Sequence, residues 1–175
     1  MEFTLLILYI GAAVSLILPS RWQCYWGMVL AVFPFGVFIY YLWSISAIGP
    51  NLVIESHREW IPWLGLNLNF TLDGLSLLFV LLITGIGTFI LLYAHGYMRN
   101  YSHTRRFYFY LLFFMASMVG MVISSNLLLL FVFWELTGIS SFLLIGFKYH
   151  EESVRKAALQ ALLVTAFGGL MMLSG

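Results

Sequence analysis

Long apolar runs separated by short polar segments dominate the chain. Six runs together hold one charged residue, and they occupy positions 3–18, 24–48, 74–94, 107–123, 127–147 and 157–175. A membrane-crossing helix needs roughly 20 apolar residues, with a usable range of about 17–25. The pattern therefore predicts an all-α, polytopic membrane helix bundle of about six transmembrane helices. Ser124, Ser125 and Asn126 mark the turn between the fourth and fifth helices, and Pro34 predicts a kink in the second.

A second pattern occupies the segment between the second and third runs. From Leu64 to Asp73 apolar and polar residues alternate, and a period of two over that length predicts a half-buried strand. Residues 51–56 are expected to pair with it across His57–Pro62, which gives one external β-hairpin-like loop. A hairpin alone is marginally stable in water, so we expect it to pack on helix ends or on a neighbouring subunit.

Charge then predicts the orientation. Only 9% of residues are charged, against about 25% in soluble domains, and no basic cluster points to nucleic acid. Seven of the eight Lys and Arg residues lie in the loops 19–23, 95–106 and 148–156, whereas Arg58 lies on the opposite side. The positive-inside rule places those loops in the cytoplasm and the N-terminus outside. The prediction is a multi-pass protein of the cell membrane, surrounded by lipid.

Glu135 is the one charged residue inside the apolar runs. A carboxylate at the centre of a membrane helix costs roughly 2.5–3.5 kcal/mol on insertion scales, so its retention favours a proton or ion relay facing the protein interior. The same helix carries Thr137, Ser140 and Ser141, whose hydroxyls are candidates for a proton path. The alternative interpretation is a structural hydrogen bond between helices, made by a protonated Glu135.

Two other polar residues have both a structural and a functional interpretation. Asp73 precedes an apolar run, where it is expected to cap a helix; the alternative is an ion-entry carboxylate at the outer face. His95 lies at the cytoplasmic end of the third run and is either a wetted interfacial group or part of the proton path. No pair of histidines has ligand spacing, so no metal site, cofactor or soluble catalytic pattern is predicted.

Small residues recur at four-residue spacing in the last run. They are Ala157, Ala161, Thr165 and Gly169. Such a row lets two membrane helices approach closely, so it predicts tight packing of the sixth helix on a neighbour.

Several motifs carry a family resemblance. They are Leu72-Asp-Gly-Leu-Ser-Leu77, Phe131-Val-Phe-Trp-Glu-Leu136, Ser140-Ser-Phe-Leu-Leu-Ile-Gly-Phe147 and Arg155-Lys-Ala-Ala-Leu-Gln-Ala-Leu-Leu-Val-Thr165. The chain resembles the N-terminal part of an antiporter-like membrane subunit. It is most similar to the A-subunit of Mrp-type Na⁺/H⁺ antiporter complexes, and it is also similar to chain 5 of NADH–quinone oxidoreductase.

The resemblance implies a function and a division of the chain. It implies that Glu135 is the helix-five glutamate of a proton channel and Asp73 the family's outer aspartate. Residues 1–48 would be two N-terminal helices, 49–73 the external hairpin, and 74–175 the start of the channel bundle, truncated after helix six. The glutamate's implied lysine partner, on a later broken helix, is not in this chain. We therefore expect a fragment that does not exchange Na⁺ for H⁺ by itself.

The expected function is that of a secondary transporter subunit, not an enzyme. It would exchange H⁺ for Na⁺ or another monovalent cation, together with other subunits of a hetero-oligomeric membrane complex. Two alternatives remain open. One is a proton-pumping subunit of NADH–quinone oxidoreductase or of a membrane hydrogenase. The other is a non-transporting assembly subunit, in which Glu135 is a buried hydrogen bonder.

Overall fold

The structure, a computed structural model, describes residues 1–17, 25–47, 53–61, 66–98 and 103–175. Six α-helices and two β-strands lie in these ranges. In chain order they are α1 (Glu2–Ile17), α2 (Trp26–Ala47), β1 (Ile54–Ile61), β2 (Leu66–Leu72), α3 (Gly74–Tyr97), α4 (Thr104–Ile123), α5 (Leu127–Ile145) and α6 (Glu152–Ser174). The six predicted helices are confirmed. The largest difference in bounds is at α6, which begins at Glu152 and not at 157.

Five of these helices, α2 to α6, are long and apolar enough to cross a membrane. The described part of α1 has 16 residues, which span about 24 Å at 1.5 Å per residue, against a hydrocarbon core of about 30 Å. The predicted all-α, polytopic membrane fold is confirmed. Helix α2 runs from Trp26 to Ala47 with Pro34 inside it, so the proline does not end the helix.

Neighbouring helices run in alternating directions along the bundle. Helix α2 packs on α3, α1 and α5 pack on α4, and α6 packs on α5. We call the end that carries β1 and β2 the hairpin end, and the end where α4 and α6 begin the basic end. One cluster of buried side chains, which includes Leu8, Phe70 and Val119, lies towards the hairpin end. A second cluster, which includes Trp26 and Tyr108, lies towards the basic end.

The predicted β-hairpin is present, but its turn lies further along the chain than expected. Strands β1 and β2 pair antiparallel, with Ile54 opposite Leu72 and Ser56 opposite Phe70. Strand β1 continues through His57 to Ile61, so the prediction that the chain turns across His57–Pro62 was wrong. Backbone pairing does not require apolar side chains, and charged residues are common on an edge strand. The predicted partner residues Asn51 and Leu52 lie outside the described residues.

The hairpin packs on helix ends, as predicted. Phe70 and Leu72 are buried, and Phe70 forms a β-bridge with Ser124 in the turn between α4 and α5. The backbone N–H of Ser125 donates to the carbonyl of Asn69 at 3.1 Å. The Phe70 ring lies 6.5 Å from that of Phe133 on α5. These contacts fix the start of α5 against the hairpin.

Helices α4 and α5 approach closely at Gly120. A β-carbon at this position would overlap the Phe133 ring, since it would lie 2.6 Å from Cζ and closer still to two other ring atoms. Between membrane helices, where apolar burial drives association only weakly, small residues allow the contact that van der Waals packing needs. Gly120 therefore sets the distance between α4 and α5.

We expect Gly120→Ala to destabilise the subunit by about 1–3 kcal/mol, the usual cost of overpacking a filled core. Gly36→Ala is the matched control, because a β-carbon at Gly36 in α2 would meet nothing within 4 Å. The measurement is the thermal unfolding of the complete native subunit in its assembled complex. Equal melting temperatures for the two variants would contradict the assigned packing.

Candidate functional site

Glu135 lies in the middle of α5 and points at α6. The helix begins after Asn126, whose side chain accepts a hydrogen bond from the N–H of Leu128 at 3.0 Å. Glu135 follows Leu127 by eight residues, about 12 Å along the axis. Its Oε1 faces Gly169 of α6, where a β-carbon would lie 2.5 Å from that oxygen. The carboxyl group is thus held against the backbone of the neighbouring helix near mid-membrane depth.

The buried oxygen of this carboxyl group has no hydrogen-bond partner in the described part of the chain. Among the same residues, no basic side chain forms an ion pair with Glu135. Burying an unpaired charge is costly, and the usual solutions are a paired cation or a bound proton. The carboxyl group of Glu135 is therefore a candidate site for a proton or an additional cationic group.

Trp134 and Thr165 form a hydrogen bond between α5 and α6 beside the carboxyl group. The indole Nε1–H of Trp134 donates to the backbone carbonyl of Thr165 on α6 at 3.1 Å. A β-carbon at Gly169 would lie 2.9 Å from Cδ1 of the same indole. This side-chain hydrogen bond, together with the absence of a side chain at Gly169, holds α6 in register beside Glu135.

A cavity of about 290 Å³ opens next to this hydrogen bond. Residues of α4, α5 and α6 line it, namely Phe114, Met118, Met121, Trp134, Thr137, Gly138, Ser141 and Thr165. A space of this size exceeds the share of one liquid water, about 30 Å³, several-fold. Hydroxyl groups in its wall supply polar partners, so the cavity can hold water beside the helix that carries Glu135.

The three predicted hydroxyl residues of α5 do not have equivalent places. Thr137 and Ser141 line the cavity, whereas Ser140 is fully buried and donates to the carbonyls of Leu136 and Thr137. Thr137 donates to the carbonyl of Trp134 at 2.7 Å, which leaves its lone pairs for the cavity. The structure thus brings Thr137 and Ser141 together around one cavity and leaves Ser140 outside it.

His95 occupies a different part of the molecule. It lies near the end of α3. A β-carbon added to Gly27 of α2 would overlap the Cβ of His95. Its Nδ1 is buried and has no hydrogen-bond partner among the described residues. The described contacts place His95 against α2 and do not bring it together with Glu135.

Asp73 is the N-cap of α3. Its Oδ1 accepts a hydrogen bond from the backbone N–H of Ser76 at 2.7 Å, and its side chain is exposed at the hairpin end. The hydrogen bonds from Ser76 lower the pKa of the Asp73 carboxyl below its ordinary value. This geometry is the capping arrangement that the sequence predicted, and Asp73 lies apart from the cavity.

The family models matching the chain name respiratory and antiporter subunits. One, described as NADH-Ubiquinone oxidoreductase (complex I), chain 5 N-terminus, matches residues 60–108. Another, described as NADH:quinone oxidoreductase/Mrp antiporter, TM, matches residues 124–175. The Na⁺/H⁺ antiporter A-subunit of Alkalihalophilus pseudofirmus is 45% identical over 150 residues, which are 85% of this chain and 19% of that protein. The corresponding A1-subunit of Staphylococcus haemolyticus is 42% identical over 165 residues, 92% of this chain and 20% of that protein.

The chain belongs to the antiporter-like family of membrane subunits. A solved Mrp complex from Dietzia sp. superposes with a TM-score of 0.87 at 32% identity, covering 99% of this chain and 18% of that one. An archaeal membrane-bound sulfane sulfur reductase shares the fold, with a TM-score of 0.79 at 19% identity, over 97% of this chain and 26% of that one. The antiporter-like chain spans about one fifth of the length of the curated relatives it matches.

Sequence reasoning missed two residues at the site of this antiporter-like protein. The sequence places Gly169 only in a stripe of small residues, and Trp134 only in a family motif. Within that stripe, Thr165 and Gly169 contact α5, whereas Ala157 is exposed. The stripe itself indicated a close contact at Gly169, because small residues on α6 permit a neighbouring side chain to reach the backbone. The sequence could not show which side chain of α5 does so.

We expect Gly169→Ala to destabilise the subunit by about 1–3 kcal/mol through overpacking, because the new methyl group would overlap Glu135 and Trp134. Gly168→Ala is the adjacent control, since a β-carbon there would meet nothing within 4 Å. Thermal unfolding of the assembled complex measures both variants.

A double variant tests the contact with the carboxyl group itself. Glu135→Ala removes the atom that the new methyl group would meet, so Gly169→Ala should cost less in that background than alone. Contacting residues show such coupling, whereas independent sites are additive. Additive losses of stability would contradict the assigned contact between Glu135 and Gly169.

At neutral pH, Asp73→Ala should lower the stability of the subunit, because the N–H of Ser76 loses its acceptor. Asp73→Asn keeps an acceptor and should retain most of the stability. The pKa of Asp73 in the folded state is lowered from its ordinary value of 3.8. The stability that its charge contributes is therefore fully present above pH 3.8. It is lost as the pH falls through the folded-state pKa.

The pH dependence of unfolding, compared between the native protein and Asp73→Asn, measures this effect. The difference in stability between the two should shrink below pH 3.8. A stable Asp73→Asn variant that has lost ion transport would contradict the cap as the whole role of Asp73 and favour the ion-entry interpretation.

Proposed function

We propose that this chain forms part of a monovalent cation/proton antiporter subunit in which Glu135 carries the transported proton. The observation that carries the proposal is the buried Oε1 of Glu135, in the middle of α5, without a hydrogen-bond partner among the described residues. A buried carboxyl oxygen without a partner can be satisfied by a bound proton or by a cation. The same group can therefore exchange one for the other.

In the proposed mechanism, Glu135 alternates between a protonated state and an ionised state paired with a cationic side chain. The family resemblance implies that this partner is a lysine on a later, broken helix. Water in the cavity lined by Thr137, Ser141 and Thr165 would deliver the proton to the helix that carries Glu135. Pairing and release would couple proton movement to cation movement elsewhere in the complex.

The names of the relatives support the transported species and the partners. The curated relatives are Na⁺/H⁺ antiporter subunits, and the solved relative belongs to an Mrp complex. We infer that the protein acts in a hetero-oligomeric membrane complex and exchanges H⁺ for Na⁺ or another monovalent cation. The basic end would face the cytoplasm and the N-terminus the outside, because Arg105, Arg106 and Arg155 lie at that end.

Replacement of Glu135 tests the proposal. In the complete native subunit, within its assembled complex, Glu135→Ala should abolish antiport, while Glu135→Asp should retain part of it because a shorter carboxyl group remains. Glu152→Gln is the control: Glu152 is an exposed acid that pairs with Lys156 at 2.8 Å on the surface of α6. Na⁺-dependent proton movement in everted membrane vesicles measures all three.

The amount of assembled complex is measured in parallel with transport. Normal antiport by Glu135→Ala would overturn the relay. A reduced yield of complex with unchanged proton flux per complex would favour the interpretation as a non-transporting assembly component, in which Glu135 only bonds neighbouring helices.

A second candidate function is proton pumping within a redox complex. Both matching family models name NADH–quinone oxidoreductases, and the role of Glu135 would be the same. Purification of the native complex separates the two functions. Redox-active subunits that co-purify, with proton movement driven by electron transfer, would favour pumping; Na⁺-driven proton movement without an electron donor would favour antiport.

A further inference from the structure

A second cavity, separate from the one beside Glu135, lies between α4, α5 and α6 at the basic end. Its volume is about 330 Å³, within the range of about 300–1,000 Å³ that ligand pockets occupy. The residues that line it are His103, Arg106, Tyr110, Phe142, Leu143, Gly146, Phe147, Tyr149, Arg155, Ala158 and Leu159. The proposed relay at Glu135 makes no use of this cavity.

The lining changes from basic to apolar along the membrane normal. Arg106 and Arg155 lie in the first turns of α4 and α6. Tyr110 and Leu159 each follow one of these arginines by four residues, about 6 Å further into the bundle. Phe142 lies on α5 on the same apolar side. The cavity therefore has a cationic rim at the membrane surface and an apolar floor at the depth of lipid chains.

The two arginines of the rim form no ion pair with an acid in the described part of the chain. No carboxylate lines the cavity, and Glu152 is paired with Lys156 at 2.8 Å. Arg155 donates through Nη1 to the backbone carbonyl of Tyr149 at 3.0 Å, which fixes its direction and uses one of five N–H donors. The guanidinium of Arg106 forms no ion pair with a described residue.

The start of α4 adds to the positive potential at this rim. His103, before α4, makes no side-chain capping hydrogen bond, and the first turn of α4 holds no acid. At the start of α6, by contrast, Glu151 and Glu152 offset the positive end of the helix. Uncapped N–H groups at a helix start carry partial positive charge. The start of α4 and the two arginines favour an anion at the rim, and the floor below it suits an apolar tail.

From this arrangement we propose that the cavity binds an anionic phospholipid. The phosphate would contact Arg106 and Arg155, and an acyl chain would lie along Phe142 and Leu159. Basic pockets between membrane helices on the cytoplasmic side have the chemistry that lipid headgroups require. Free phosphate would satisfy the rim alone, and a protein segment would need its own acid at the rim. A phospholipid satisfies the rim and the floor at once.

Lipid add-back to the delipidated native complex tests the proposal. Phosphatidylglycerol should raise the melting temperature of the complex, whereas phosphatidylcholine and inorganic phosphate at the same concentration should not. For each of Arg106→Gln and Arg155→Gln, the half-saturating phosphatidylglycerol concentration should rise about fivefold. Lys156→Gln is the matched control, because Lys156 lies beside Arg155 in sequence and does not line the cavity.

Two further variants separate the lipid from a general charge effect. Leu159→Trp fills the apolar floor and keeps both arginines, so it should abolish the effect of phosphatidylglycerol even though the rim is intact. Glu135→Ala should leave the lipid effect unchanged, which distinguishes this proposal from the relay. An unchanged response of the arginine variants, or an equal response to inorganic phosphate, would overturn the proposal. So would a cross-link from a photoreactive group at Leu159 to another protein segment in the native complex.

Discussion

The contact between the Glu135 carboxyl group and the backbone of α6 at Gly169 is the constraint on which the rest of the site depends. It exists because α6 has no side chain there, and because the Trp134 indole holds the Thr165 carbonyl at 3.1 Å. In lipid, where apolar burial drives helix association only weakly, such close approach stabilises a helix pair through packing. The acid is therefore part of the interface between α5 and α6.

The position of that interface depends in turn on the hairpin end. Phe70 contacts Phe133 and bridges to Ser124, so the start of α5 is fixed by β2. Gly120 then fixes how closely α4 approaches Phe133. Together these contacts determine the depth of Glu135 in the bundle. The two-stranded sheet thus fixes the position of Glu135, which lies about 12 Å along α5 from the start of the helix.

The sequence predicted the helices well because their lengths follow from the bilayer, which requires long apolar runs. It predicted the strand β2 because Phe70 and Leu72 alternate with Asn69 and Thr71, and one face is buried. It placed the turn wrongly because β1 carries charged residues after Glu55 and shows no such alternation. The site was predictable in part. Inserting a carboxylate into a membrane helix costs free energy wherever Glu135 lies along the apolar run, so the sequence alone marks it. The identity of its neighbours depends on the rotation of the helices, which the sequence does not show. The rotation of α5 places Thr137 and Ser141 at the cavity, whereas the hydroxyl of Ser140 donates to the carbonyl of Leu136 in the same helix.

The hydroxyls of the cavity beside Glu135 have a consequence for what can enter it. Thr137 and Thr165 both give their hydrogens to carbonyls of their own helices, at 2.7 Å and 2.8 Å. Their oxygens are therefore left as hydrogen-bond acceptors, whereas the hydroxyl hydrogen of Ser141, in the same wall, is not given to a carbonyl of a described residue. A species that donates hydrogen bonds would meet acceptors at Thr137 and Thr165. A water molecule in this cavity would thus donate to the two threonines of different helices and accept from Ser141, which joins α5 and α6 through one solvent site.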